Sequence, residues 1–470
     1  MYYLSVLLFV ESFLLSLLAL KAARNSFPWL LFLVVVNIGF GGQANAQTIE
    51  VTPNPALVDE KLDIRIRGLE PGKTVVVRAF LEDKDGRKWQ SYAGFTADPD
   101  GKVDLSRQSP VNGTYHGISA MGLIQSMQVA IPDYGRVRFS YEWAKPLVTR
   151  LVVESDDKTL ADTQVTRTFM TASVTSIEVR SAGLVGTLFL PRGKGPFPAL
   201  VVLGGSEGGN SAEDVGALLG SHGYVCLALA YFGLDSLPPA LEEIPLEYFQ
   251  KALNWLLTQE FVQRDRVGML GTSKGAEAAL LIASRDRRIR TVVAYAPSSV
   301  VWSCLCPAAG KSSWSSNGAP VPFVPFEEDP TNSPPAGFPL RIGLNYQHSL
   351  ENELAIQRAT IPVELINGPV LLISGMNDQL WPSFGLGKLI MQRLTTRRHR
   401  FQDRHLAYQN AGHLIGKAYL PVGSTLIAGG RIESGGTPLG DARAQEDSWP
   451  RVLTFLNRAL VQPIRSSSVR

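Results

Sequence analysis

The sequence predicts an α/β domain preceded by an immunoglobulin-like antiparallel β-sandwich, and two patterns carry that expectation. From Gln47 to about Phe169, short runs alternate apolar and polar residues, as in Leu62-Asp63-Ile64-Arg65-Ile66 and Thr74-Val75-Val76-Val77-Arg78-Ala79-Phe80, punctuated by Pro71-Gly72 and Asp85-Gly86. Period-two alternation describes strands with one buried face and one wet face. Many such strands without a helical repeat describe a sandwich. After Ser173, strands over 177–180 and 186–190 lead into continuous apolar runs, 198–203, 225–230 and 370–375, which alternate with helical stretches over 212–222 and 247–259. Uninterrupted apolar strands separated by helices are what a mostly parallel sheet covered on both faces requires. The expected organisation is a leader over residues 1–46, a sandwich over 47–170 and an α/β domain over 171–470.

The leader holds two apolar runs, 4–20 and 27–40, separated by Lys21 and Arg24 and followed by Ala44-Asn45-Ala46 before Gln47. A basic region, an apolar core and a small-residue site describe a secretory signal cleaved after Ala46. The alternative is a membrane anchor, because the first run, interrupted by Glu11, approaches bilayer-spanning length. Either reading sends the folded part to an exported compartment, periplasmic or secreted.

The most informative stretch is Gly271-Thr272-Ser273-Lys274-Gly275, set between an apolar run ending at Leu270 and an Ala/Leu-rich run over 276–284. A strand that turns sharply into a helix at Gly-x-Ser-x-Gly holds the serine hydroxyl out at the top of a sheet, and its glycines allow strand and helix to crowd together. Two residues follow in the chain order of an α/β-hydrolase. Asp378 lies just past the apolar strand 370–375, and His413 sits in the small-residue loop Asn410-Ala411-Gly412-His413. A neutral serine is a poor nucleophile, so an imidazole must take its proton and a carboxylate must orient that imidazole. Of the remaining histidines only His405 competes, and it lacks glycine neighbours. Upstream, Gly204-Gly205-Ser206-Glu207-Gly208-Gly209 follows an apolar strand, and such a loop can turn amides toward a developing oxyanion. The amides of Ser206 and Lys274 are the expected donors. The loop is not a dinucleotide fingerprint, because its glycine spacing is wrong and no acid ends the next strand.

The runs Asn54-Pro55-Ala56-Leu57-Val58-Asp59-Glu60, Gly68-Leu69-Glu70-Pro71-Gly72 and Gly122-Leu123-Ile124-Gln125-Ser126-Met127 resemble the N-terminal β-domain of the acyl-CoA thioesterase and bile acid-CoA:amino acid N-acyltransferase family. Leu227-Ala228-Leu229-Ala230-Tyr231-Phe232, the elbow with Ala276-Glu277, Asp378 with Trp381, and Asp447-Ser448-Trp449 are similar to later segments of that family in the same order. The resemblance implies a two-domain enzyme acting on acyl thioesters, with Ser273, Asp378 and His413 on the triad positions. It also implies hydrolysis over amidation, because members with serine in place of cysteine are mostly hydrolases. The alternatives are acyl transfer to an amine or alcohol and, given the leader, an exported carboxylesterase.

Between residues 298 and 336 the chain becomes rich in Pro, Ser and Gly with interspersed Trp302, Trp314, Phe323 and Phe326. So long an insertion after a sheet strand is expected to overhang the elbow and line an acyl pocket, with Trp302 and Trp381 as substrate-binding walls. A net charge of +3 argues against nucleic acid as a partner, and the basic clusters 285–288 and 397–400 read as solvated helix ends. Cys304 and Cys306 lack clustered histidines, so no metal site is expected, and they form either a tight disulfide or two free thiols. Cys226 reads as core. No cofactor is expected.

Overall fold

A computed structural model describes residues 46–130, 137–234, 236–306, 310–335, 337–417 and 419–462. The expected signal or anchor lies outside the described residues.

The first half forms two sheets, antiparallel except where the short strand Ala56–Leu57 runs parallel to Lys158–Thr168. Thr48–Thr52, Asp63–Arg67 and Val103–Asp104 make the smaller sheet, while Thr74–Glu82, Lys88–Thr96, Leu147–Ser155 and Lys158–Thr168 are the long strands of the larger one. In Thr74–Glu82 every second residue is buried, so Val75, Val77, Ala79 and Leu81 face the core. One-residue alternation on a pleated strand sends Ile64 and Ile66 to the same interior.

The second half is built on one sheet: β1 (Val174–Val179), β2 (Val185–Pro191), β3 (Phe197–Leu203), β4 (Val225–Ala230), β5 (Val262–Thr272), β6 (Ile289–Tyr295), β7 (Val370–Gly375) and β8 (Arg404–Tyr408). Its spatial order is β1-β2-β4-β3-β5-β6-β7-β8, with β2 antiparallel to both its neighbours, β1 and β4, and every other neighbouring pair parallel. That is an α/β-hydrolase sheet. Five principal helices accompany it: α1 (Glu213–Ser221), α2 (Leu246–Thr258), α3 (Lys274–Ala283), α4 (Ser383–Thr396) and α5 (Pro438–Leu456). Every residue of β4 and β7 is buried, as strands covered on both faces must be.

The two halves share a continuous apolar core that runs from Val77 and Phe169 to Phe189, Leu218 and Trp449. Polar ties cross the same boundary. Trp449 Nε1 donates to Asp59 Oδ2 at 2.7 Å, Trp143 Nε1 donates to Glu213 Oε2 at 2.9 Å, and Arg167 Nη1 donates to the Tyr419 carbonyl at 2.6 Å. Arg167 has no accessible surface, and burial lowers its guanidinium to a pKa of about 10.

The aromatic insertion contains more regular structure than its composition suggests. Trp314–Ser316 pairs in parallel with Ile244–Pro245 and antiparallel with Ala319–Pro320, and Cys304 and Cys306 are disulfide-bonded. Cys226 is buried and unpaired in β4. No helix among the described residues is long and apolar enough to cross a membrane.

Candidate active site

The elbow is geometrically what its glycines require. Ser273 joins β5 to α3 at φ 57°, ψ −120°, a strained conformation for a residue with a side chain. A Cβ on Gly271 would lie 2.1 Å from the Gly275 carbonyl oxygen, and one on Gly275 would lie 2.1 Å from that of Gly204. Neither backbone has room to yield, so both positions demand glycine.

Three distant residues meet there. His413 Nε2 lies 2.9 Å from Ser273 Oγ, and His413 Nδ1 lies 2.9 Å from Asp378 Oδ2. An ionised carboxylate only accepts, so Nδ1–H donates to Asp378 and Nε2 is left to receive the serine proton. Asp378 is itself oriented: its Oδ1 accepts from the amides of Leu380 at 2.9 Å and Trp381 at 3.2 Å, and its Oδ2 accepts from Ser383 Oγ at 2.5 Å. All three residues are buried, with Ser273 keeping 8% of its surface accessible. His405 is elsewhere, bonded through Nε2 to Ser374 Oγ at 2.7 Å.

The glycine loop after β3 lies against the elbow, since a Cβ on Gly205 would stand 3.3 Å from Ser273 Cβ. The Tyr231 hydroxyl sits 2.7 Å from the Gly204 carbonyl oxygen and 2.9 Å from that of Gly205. In a planar trans peptide the amide points opposite to the carbonyl, so holding Gly205 C=O turns Ser206 N–H away from Tyr231. The neighbouring Gly205 amide is engaged by Glu207 Oε1 at 3.1 Å. Lys274 opens α3, where first-turn amides have no intrahelical acceptor and the helix dipole favours negative charge.

The Lys274 side chain turns away from this work. Its ammonium lies 3.0 and 3.2 Å from the two carboxylate oxygens of Glu277, and both side chains are buried. Glu277 Oε1 also accepts from Trp314 Nε1 at 2.7 Å and from the Trp302 amide at 3.2 Å. Desolvation lowers the Lys274 pKa and raises that of Glu277, each opposed by the other's charge.

The tryptophans correct an expectation. Trp302 has no accessible surface and packs on Tyr346 with ring centroids 4.7 Å apart, so it pins the insertion instead of presenting an open pocket wall. Trp381 is 2% exposed, donates from Nε1 to the Ala296 carbonyl at 3.2 Å and stands edge-on to the His413 ring at 5.7 Å. It braces the imidazole.

Four supporting residues escape motif reading: Ser383, Tyr231, Glu277 and Asp441. Asp441 Oδ1 accepts from the Gly412 amide at 2.7 Å, fixing the loop that carries His413, and desolvation raises its carboxyl to a pKa of about 6. Glu277 had a visible signal, a lone acid in the otherwise apolar run 276–283. No cluster of three or more potential metal ligands occurs among the described residues.

Residues 59–181 match the acyl-CoA thioester hydrolase/BAAT N-terminal region, and residues 244–462 match the BAAT/acyl-CoA thioester hydrolase C-terminal model. Acyl-coenzyme A thioesterase 6 of Mus musculus is 32% identical over 438 residues, spanning 90% of this chain and 100% of its own. The chain belongs to the acyl-CoA thioester hydrolase/BAAT family. Acyl-coenzyme A amino acid N-acyltransferase 2 of Mus musculus is 33% identical over 87% of this chain and 97% of its own length. Mitochondrial acyl-coenzyme A thioesterase 2 of Rattus norvegicus is 32% identical over 86% of this chain and 87% of its own. The family thus includes hydrolases and acyltransferases that share both halves of this fold.

Proposed function

We propose that this family member is a serine hydrolase of acyl thioesters, with Ser273 as nucleophile, His413 as general base and acid, and Asp378 as its orienting carboxylate. The observation that carries the reading is the unbroken relay from Asp378 Oδ2 through His413 to Ser273 Oγ, with both contacts at 2.9 Å. Ser273 Oγ attacks the carbonyl carbon while His413 Nε2 takes the hydroxyl proton, and the carbonyl electron pair moves onto oxygen. The amides of Ser206 and Lys274 stabilise that oxyanion. Collapse breaks the C–S bond, the thiolate leaves with the proton held by His413, and a water repeats the sequence to release the acid and restore the serine.

Hydrolysis is favoured over acyl transfer because the nucleophile is an alcohol: an oxygen-ester acyl-enzyme is a poorer acceptor for an amine than a thioester would be. The acyltransferases among the relatives keep transfer as the second reading. The leader supports export of the mature chain from Gln47, where oxygen esters join thioesters as substrates; Edman sequencing of protein from its native host tests this, and an intact N-terminus would restore the anchor reading.

The test of function incubates the protein with acyl-CoA thioesters and p-nitrophenyl esters, with and without glycine or taurine, beside Ser273→Ala. The expected result is free acid matched one for one by free thiol from the thioesters, and by p-nitrophenol from any ester that is cleaved, lost in the variant. Amide product in the presence of acceptor would move the assignment to acyl transfer.

A further inference from the structure

The end of the sheet opposite Ser273, Asp378 and His413 is built from the loops that lead into β6, β7 and β8, because strands running in parallel start at one edge. Two of those loops are basic. Residues 285–290 and 397–404 each hold four arginines against one aspartate, a formal +3 apiece, while the whole chain carries only +3. The rest of the molecule is therefore net acidic. The fold sets the two stretches, far apart in the chain, side by side. Asn367, in the loop before β7, donates from Nδ2 to the Arg287 carbonyl at 2.8 Å and accepts from Arg400 Nη2 at 3.0 Å.

The local acids are engaged. Asp286 accepts from Arg288 Nε at 2.9 Å, and Asp403 accepts from the Val370 amide at 2.9 Å and lies 2.7 Å from His399 Nδ1. Glu364 pairs with Arg393, and Asp447 with Arg451. Arg287, Arg397, Arg398, Arg400, Arg404 and Arg458 are exposed, and none has a carboxylate within ion-pair distance among the described residues. Beside them lies an apolar groove of about 380 Å³ between β8 and the last turns of α5. Leu371, Phe401, Leu406 and Phe455 line it, its charged residues are Arg404, Arg451 and Arg458, and no acid contributes.

Like charges gathered on one exposed face repel one another and add nothing to folding, but they create a positive field that attracts a polyanion. A polynucleotide would use the charge and leave the groove bare. A layer of anionic lipid uses both, since headgroup phosphates meet the guanidiniums and an acyl segment enters the groove. We propose that this end of the molecule docks on an anionic phospholipid bilayer, with the two arginine loops against the headgroups. The catalytic crevice, at the other end of the sheet, then faces away from the surface. The docking does not depend on which acyl compound the crevice cleaves.

The test uses the chain from Gln47, since the chain from Asn45 onward forms one compact unit. It is sedimented with vesicles of phosphatidylcholine alone and of equimolar phosphatidylcholine and phosphatidylglycerol, at low and at molar salt. A basic side chain near an anionic surface is worth about fivefold in partitioning. Wild type should therefore prefer the anionic vesicles by about a hundredfold or more, and molar salt should erase most of that preference. Arg397→Gln/Arg398→Gln/Arg400→Gln should weaken binding to the anionic vesicles by about a hundredfold, and Arg404→Gln/Arg458→Gln by about twentyfold. Lys84→Gln/Lys145→Gln/Lys158→Gln, which removes charge from the sandwich instead, should change it by less than about threefold. Urea midpoints matching wild type show that each variant keeps its fold. Equal binding of wild type to neutral and anionic vesicles overturns the proposal. So does an equal loss in the arginine and lysine triple variants, because net charge and not this face would then be read. Tighter binding of double-stranded DNA than of anionic vesicles at the same salt also overturns it, since the partner would be a polynucleotide.

Discussion

Replacing Glu277 by alanine should unfold the elbow before it changes any chemistry directly. The side chain is 0% exposed, its partner Lys274 is 1% exposed, and the carboxylate accepts from Lys274, Trp302 and Trp314. Removing it leaves an ammonium buried without a counter-charge, which costs about 3–5 kcal/mol, and strands two N–H donors at roughly 1–3 kcal/mol each. The terms overlap, so the expected loss is on the order of 4–6 kcal/mol, a large share of the ~5–15 kcal/mol that holds a domain together. Glu277→Gln keeps an acceptor for both tryptophans and should lose about half as much. Removing both charges in Lys274→Met/Glu277→Leu should recover stability relative to Glu277→Ala, since a buried pair replaced by apolar groups is often near neutral. Urea unfolding of the wild type, Lys274→Met, Glu277→Leu and the double variant gives the coupling energy directly, with Glu277→Ala and Glu277→Gln measured beside them. If Glu277→Ala shifted stability by less than about 1 kcal/mol, the pair would be solvated and the reasoning would fail.

Two further variants probe the site. Gly275→Ala places a methyl 2.1 Å from a backbone carbonyl oxygen, so it should cut soluble yield or activity at least tenfold, and a crystal structure with an undisturbed elbow would contradict this. Asp441, raised from 3.8 to about 6, favours the folded state while protonated: that contribution is full below about pH 4 and is lost as pH rises through 6. Asp441→Asn keeps an acceptor for Gly412 and should become more stable relative to wild type as pH goes from 4 to 7, by up to about 3 kcal/mol; a pH-independent difference would mean that the carboxyl is not raised.

What the sequence revealed about the site followed from local chemistry. The glycines of the elbow, the acid at the end of an apolar strand and the histidine between small residues each announce a backbone constraint, and the fold brings all three together. A mostly parallel sheet was likewise readable in outline, because continuous apolar runs of strand length separated by helical stretches are what a sheet covered on both faces requires, whereas the spatial order of its strands is not written in that pattern. Trp302 was misjudged for a physical reason: an aromatic that pins a loop and one that lines a pocket have the same hydropathy, and only packing separates them. Asp441 belongs to no motif: its interest arises from the Gly412 amide it holds, a contact across 29 positions that one-dimensional patterns do not encode.

The contacts joining the halves bear on how such proteins can be cut and recombined. Tyr419, six positions beyond His413, is fastened by its carbonyl to Arg167 near the end of the last long sandwich strand, and Trp449 of α5 reaches Asp59. The N-terminal half is therefore a wall of the C-terminal half, not a detachable passenger. A circular permutation or domain exchange of this chain should be tolerated only at junctions that leave that seam intact.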